Sequence, residues 1–562
     1  MKKNKNKFLF ILSILLLPIL AISALSGCSM FDSSTSSNSN TNVTQVTDET
    51  ITAKETTSDF SIITSDGNYS VTDNIYTISK AGTYSLSGAL NGQILISVAD
   101  DEEVDLELKG VTITYSSDSP IKVLSADKVE ISAKKNTDNV IKDMRNTKTL
   151  DDDNQGEGTI SAKCDLKLKG QGTLVVIGNY NNGIHTTKDL EIKNLSLKVM
   201  AYNNAIKGKD SVTIDSGTIV AISTNGDGIE TTNTDLNKNG ETRGDIVLTG
   251  GTITVYAASD GFQSAHNFEM SKDETNNTTP TVTIYTGSYS GYTASDATTT
   301  SYKGVKVQNQ LNIFDGTIIL KTYDDGLHAD YGTNFEDGTK GLGTINISGG
   351  TVTTNVYAPT QKTAGGEYGP RGWNNQQTVT GADALHADYK LNISGGTIYV
   401  DSSYEGLEAN IITISGGTCY ISATDDGINA CKLSALSSST PQIIITGGYV
   451  DVSVSSNGDT DGIDSNGIYI QSGGVVIARG PNNTMAAALD TDGTAKITGG
   501  TIIVLGSLGE RGLTRSSGVG SYNLSLHSIG NHTIKINGVS YTFKNNYSYS
   551  KTLCYSSESI SA

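Results

Sequence analysis

The sequence predicts an all-β protein, a right-handed parallel β-helix (β-solenoid) with coils of about 21 residues and insertions at the corners. Three observations predict it. The stretch from Ser394 to Ala430, SGGTIYVDSSYEGLEANIITISGGTCYISATDDGINA, states one pattern twice, and the step from Thr397 to Thr418 is 21 residues. Each unit holds three short apolar runs: a TIxV run after the glycines, a GIxA run, and an LxI run before the next glycines. The unit recurs from about Gly170 to Val504, as in SGTIVAISTNGDGIET, DGTIILKTYDDGLHA and GGTIIVLG. Self-similarity at a fixed period outranks any domain count based on length. Three strands in so few residues, all running the same way, cannot form hairpins. They form one turn of a solenoid, and equivalent residues stack about 4.8 Å apart on the next turn. The inward Ile, Val and Leu columns then make a continuous core that no single coil possesses alone. The right hand follows the usual crossover preference.

The elements follow in chain order. MKKNKNK is a basic start, and Phe8 to Ile22 is an apolar run too short for a retained span. Leu25-Ser26-Gly27-Cys28 resembles the bacterial lipobox, which implies that residues 1–27 are a lipoprotein signal peptide and that lipid is attached at Cys28. Residues 28–58 are rich in Ser, Thr and Asn and read as a tether. Residues 59–505 are assigned to the parallel β-helix, with 59–100 closing its first end. Period-2 alternation in VDLELKGVTIT and LEIKNLSLKVM marks strands buried on one face. Asn233–Gly244 and Ala358–Thr380 lengthen two coils at corners, and the segment near Asn267–Ser301 adds length around a strand-like TVTIYTG. Residues 506–562 lose the glycine turn, and NHTIKINGVSYTF reads as a hairpin turning at Asn-Gly, a C-terminal β cap. Cys419 occupies an inward slot, as a small hydrophobe would.

Charge narrows the partners. The chain carries 40 basic and 59 acidic side chains, a net charge of −19. Loss of the four lysines in residues 1–27 would make that −23. Such a surface disfavours nucleic acid, whose phosphates need Lys and Arg. It also disfavours an anionic polymer unless a cation intervenes.

The acidic residues sit at one place in the repeat. Asp227, Asp260, Asp325, Asp383, Glu405, Asp426 and Asp461 or Asp464 fall at the same place in successive units. Two charges 4.8 Å apart repel by ~0.9 kcal/mol even in water. A column of them favours hard divalent cations, calcium above all outside the cell. Any single Asp before Gly can equally make a solvated Asx turn. A second signal is Asp235-Leu236-Asn237-Lys238-Asn239-Gly240-Glu241, the first half of a D-x-N-x-N-G calcium loop. Its twelfth position is Ile246 and supplies no closing carboxylate, a place that Asp245, Asp227 or Glu230 could take. His328 in DDGLHAD and His386 in ADALHAD are equivalent positions. Stacked and flanked by Asp325, Asp330, Asp383 and Asp388, they could hold a transition metal, although a repeated position also repeats its residue for packing. Tyr368, Arg371 and Trp373 lie in one insertion and could stack on a sugar ring and pair with its carboxylate, or pack on one another.

Enzyme signals are weak, with no G-x-S-x-G, no H-E-x-x-H and no Cys/His constellation. A calcium-dependent lyase would need a Lys or Arg base, for which Lys207, Lys303, Lys306 and Arg371 are candidates by composition only.

The runs SYEGLEANIITISGGTCYISATDDGINA, DGIDSNG, ALDTDGTAKITGGT, YTISKAGTYSLSG and GNYNNGIHTTKDLEI together resemble the clostridial carbohydrate-binding domain-containing family. The resemblance covers about residues 60–505. It implies a right-handed parallel β-helix similar to polysaccharide lyases. It also implies binding of calcium, cellulose and acidic sugars such as polygalacturonate, without established lyase activity. Bound calcium would bridge protein and uronate carboxylates, which relieves the charge conflict. The expected protein is a monomeric, extracellular lipoprotein, anchored to the cell membrane and binding plant or microbial polysaccharide with calcium. The rivals are a pectate-type lyase and a structural adhesin.

Overall fold

The computed structural model describes residues 51, 54–150, 157–292, 301–357, 381–432, 434–454, 460–482 and 486–562. These residues are strands and turns, with helical geometry only in the short 3-10 turns Gly287–Ser290 and Ser434–Leu436. Over much of the chain, strands three apart lie side by side and parallel, so the chain returns to the same ladder once per coil; Leu385–Ile393 and Leu407–Ile414 are long enough to serve two ladders each. The first ladder includes Thr173–Gly178, Thr397–Ser402, Thr418–Ala423 and Thr501–Leu505. The second includes Asn182–Thr186, Leu327–Ala329 and Ile428–Ala430. The third includes Asp189–Lys193, Gln310–Ile313 and Gln442–Ile445.

Alternation decides which side chains face the core. In Thr397–Ser402 the side chains of Ile398 and Val400 are buried and Tyr399 is exposed. Ile253, Val282, Ile318, Val352, Ile398 and Cys419 stand in register on successive coils, and none is more than 1% exposed. Burial of each such aliphatic chain is worth roughly 1.5–3 kcal/mol. Cys419 is thus a buried free thiol in an aliphatic column. The step from Thr397 to Thr418 is a register pair. The tight Gly-Gly corner has a steric cause. Gly417 has φ +76°, and a Cβ there would lie 2.6 Å from the Gly395 carbonyl oxygen of the preceding coil.

The insertions fall between ladders. Residues 233–244 close on a Leu236–Thr242 bridge. A second insertion, unforeseen from the repeat, is the hairpin of Tyr331–Asn334 with Lys340–Leu342. Its Phe335 meets the His266 ring edge-on at 5.0 Å, and its Glu336 accepts the Leu236 N–H at 2.8 Å, so the two insertions brace each other. Thr281–Thr286, inside the segment near Asn267–Ser301, is a full member of the first ladder. Cys28, and the trio Tyr368, Arg371 and Trp373, lie outside the described residues.

Antiparallel pieces finish both ends of the ladders. Ser61–Ile63 runs antiparallel to Gly82–Asn91, and Tyr69–Thr72 forms a hairpin with Ile75–Ile78. The fully buried Tyr84 fixes that end, its hydroxyl accepting the Asn68 N–H at 2.8 Å and donating to the Lys80 carbonyl at 2.7 Å. At the other end Thr552–Ser556 lies antiparallel on Thr501–Leu505. Gly530–Ile536 and Val539–Asn545 pair around Asn537 and Gly538, both at positive φ, as an Asn-Gly hairpin requires.

Candidate functional site

The second ladder carries two polar columns. The first comes from the residue just before each Gly-aliphatic or Ala-aliphatic pair: Asn204, Asp227, Asp260, Lys303, Asp325, Asp383, Glu405, Asp426 and Asp461. The second comes from the outward residue just after that pair. Here Lys207, Glu230, Gln263, Lys306, His328, His386, Glu408, Asn429, Asp464 and Asp490 are register neighbours.

The first column has a structural duty. Asn204 Oδ1 accepts the Asp227 N–H at 2.8 Å, and Asp227 Oδ1 accepts the Asp260 N–H at 2.9 Å. Asp260 Oδ1 accepts the Lys303 N–H at 2.7 Å, and Asp325 Oδ1 accepts the Asp383 N–H at 2.7 Å. Asp426 Oδ1 accepts the Asp461 N–H, also at 2.7 Å. In return the glycine that follows donates forward, as Gly228 N–H does to the Asp260 carbonyl at 2.9 Å. One oxygen of each of these carboxylates therefore satisfies a backbone donor on the next coil. The other oxygen can serve an outward role.

Electrostatics divides the column into segments. At Asp227 and Asp260 burial dominates and pushes both carboxyls above the usual range; at Asp227 the charges of Asp260 and Glu230 add to it. At Asp325 burial opposes ionisation but is outweighed by the His328 hydrogen bond and by the positive charges of Lys303 and His386, so the carboxyl is held well below the usual range. Lys303 Nζ bridges Asp324 at 2.9 Å and Asp325 at 2.8 Å. His328 hydrogen-bonds Asp325 Oδ2 through Nδ1 at 2.8 Å and Asp330 Oδ1 through Nε2 at 2.9 Å.

One coil further on, cations are scarcer. Burial and the neighbouring Glu408 push Asp383 and Glu405 well above the usual carboxylate range. Burial opposes the Glu408 charge too, but the His386 hydrogen bond brings that carboxyl down to about 2. The His328 and His386 rings stack at 4.7 Å with 12° between their planes. A cleft of about 560 Å³ opens here, lined by Lys303, Asp325, Asp383, His386, Tyr404 and Glu408 among others. At the far end of the ladder Asp461, Asp464 and Asp490 bring carboxylate oxygens within 4.8 Å of one another. Burial, then Asp426, Asp490 and Asp492, push Asp464 up to about 8.

The Asp235 loop has a different geometry. Asn237 Oδ1 accepts the N–H groups of Asn239 and Glu241 at 2.8 and 3.0 Å, and its amide donates to Glu241 Oε2 at 2.8 Å. The loop thus closes on itself, with Gly240 at φ +78°. Asp235 is exposed, whereas Asp227 is buried on the second ladder. Asn237, Asn239 and Glu241 line another cleft, of about 1040 Å³, beside Asp210, Arg243 and His266. The structure brings Asp325, Asp383 and Asp426 onto one edge and leaves the Asp235 loop apart from it. The sequence reading passed over Glu408 and Asp490. Their signal was the outward slot of the GIxA run, which follows the acidic position by three residues.

These features define the class, an all-β protein of parallel strand ladders with a carboxylate-rich edge. The chain belongs to the family of carbohydrate-binding domain-containing proteins, whose model matches residues 72–356 and 333–427. A carbohydrate-binding domain-containing protein of Acetivibrio thermocellus is 39% identical over 134 residues, 24% of this chain and 47% of the relative. The chain thus spans about half the length of that curated relative. A solved polysaccharide lyase-like protein from C. thermocellum, a gadolinium derivative, is 33% identical, with 44% of this chain and 90% of that chain covered and a TM-score of 0.37.

Proposed function

We propose that the protein binds polysaccharide, cellulose or an acidic polymer such as polygalacturonate, through calcium ions held on the carboxylate edge. The observation that carries this reading is the triad Asp461, Asp464 and Asp490, a donor set of oxygens only. Hard cations with flexible oxygen shells suit such a set, and calcium is the one abundant outside cells. The family assignment supplies the carbohydrate. Calcium supplies the bridge between protein and uronate carboxylates. The scaffold in this reading is a right-handed parallel β-helix with coils of about 21 residues, supported by the parallel pairing of each coil's strands with those of the next coil. The chain is held at the cell surface by lipid on Cys28, a proposal that rests on the lipobox.

Lys303, one of the candidate lyase bases, is tied up in ion pairs with Asp324 and Asp325. Burial works against its charge, but Asp325 and Asp324 outweigh it and keep the ammonium protonated, so it is a poor base. The test is retention of the protein on polygalacturonate and on cellulose, in calcium and in EGTA. Retention in calcium alone, lost in Asp461→Asn, is the expected result. Equal retention in EGTA would overturn the bridging role.

A further inference from the structure

We infer that Asp383, His386 and Glu408 form a binding site for a zinc-class transition dication, separate from the all-oxygen calcium triad. His386 Nδ1 lies 3.0 Å from Asp383 Oδ2 and 2.8 Å from Glu408 Oε2. One imidazole nitrogen carries at most one hydrogen. It can donate to only one of these carboxylates; the other is met by a proton held between Asp383 and Glu408, whose side chains hydrogen-bond each other at the same point. A dication at that point takes all three atoms as ligands and balances both carboxylates. Ligand atoms around a tetrahedral zinc stand roughly 3.3 Å apart, given bonds near 2.0–2.1 Å. The two nitrogen–oxygen distances need to open by only about 0.3–0.5 Å.

Two further observations point the same way. His386 Nε2 faces Asp388 Oδ1 at 3.3 Å. A carboxylate on the second ring nitrogen is what orients a metal-bound histidine and fixes its tautomer. Among the described residues, no lysine or arginine forms an ion pair with Asp383, Glu405 or Glu408. The stacked neighbour is the internal contrast. His328 gives one nitrogen to Asp325 and the other to Asp330, and Lys303 pairs with Asp325 at 2.8 Å. That coil has a lysine beside its histidine, whereas on the next coil the His386 imidazolium meets Asp383 and Glu408 with no lysine or arginine to share them among the described residues. The nitrogen donor sets the metal class, because imidazole with carboxylates suits zinc and its neighbours, whereas calcium prefers oxygen alone. Three protein ligands beside the 560 Å³ cleft leave a coordination position for a ligand entering from that cleft.

The experiment is titration of tag-free, chelator-treated protein with zinc chloride by calorimetry, in a large excess of calcium and with no polysaccharide. One zinc site that survives the calcium is expected. His386→Gln and Glu408→Gln each weaken zinc by at least about tenfold, while Asp461→Asn leaves it unchanged. Copper(II) paramagnetic resonance on the unaltered protein gives a readout independent of any variant: hyperfine splitting from one imidazole nitrogen. Absence of nitrogen splitting, displacement of zinc by calcium, or unchanged affinity in His386→Gln would each overturn the assignment.

Discussion

Asp227 shows how one side chain can be both structural and costly. Its Oδ1 accepts the Asp260 N–H at 2.9 Å, yet burial and its acidic neighbours oppose its charge. Asn204 fills the same role one coil earlier with a neutral amide. Asp227→Asn therefore keeps the hydrogen bond and removes the charge, and is expected to leave stability unchanged or raised. Asp227→Ala orphans the Asp260 N–H and is expected to cost about 1–3 kcal/mol. Urea unfolding in EGTA separates the two. Glu107 gives the opposite electrostatic case. Hydrogen bonds from Lys134, Lys109 and Ser85 hold its carboxyl down to about 2. A depressed folded-state pKa stabilises above the unfolded value, near 4.5, and that stability is lost as pH falls towards 2. Wild type is thus expected to melt above Glu107→Gln at pH 6, with the gap closing between pH 4.5 and 2. A gap that persisted at pH 2 would show that the ionised carboxylate is not its source.

At the scale of elements, coil-to-coil spacing leaves no room at certain corners. A Cβ on Gly427 would lie 2.2 Å from Val452 Cγ1 and 2.6 Å from the Gly462 carbonyl oxygen. Gly427→Ala is expected to cost about 1–3 kcal/mol in denaturant unfolding. Gly518 has nothing within 4 Å of its virtual Cβ, and Gly518→Ala should stay within about 0.5 kcal/mol of wild type. The last strand matters for a different reason. Thr552–Ser556 covers one edge of Thr501–Leu505. Deletion of residues 552–562 would expose unpaired backbone groups along an apolar strand, the template for association. Light scattering should then report larger species than the full chain gives under the same conditions.

At the scale of the whole molecule, a negative surface and an acidic ligand are compatible only through cations. The two cation readings are separable by chemistry. The triad Asp461, Asp464 and Asp490 offers oxygen alone, whereas Asp383, His386 and Glu408 include nitrogen. Calcium removal is expected to abolish polymer retention and leave zinc binding intact.

The sequence by itself determined the repeat strands and their inward faces, because alternation and the Gly-Gly corner are local rules repeated at a fixed spacing. The Tyr331–Leu342 hairpin follows no repeat and was not legible. Thr397 stands beside Thr418 and His328 beside His386, as the repeat implies. The acidic corner was legible for the same reason. Only the tertiary structure decided what each acid does, since that depends on which side chain the adjacent coil presents. Asp325 and Asp383 look alike in sequence, but Lys303 pairs with Asp325 while Glu408 crowds Asp383. The Asp235 loop matched a calcium motif by spacing, and only the structure shows Asn237 Oδ1 accepting the loop's own N–H groups. Spacing along the chain sets which residues can meet, whereas charge, burial and hydrogen-bond partners across coils settle what the meeting is for.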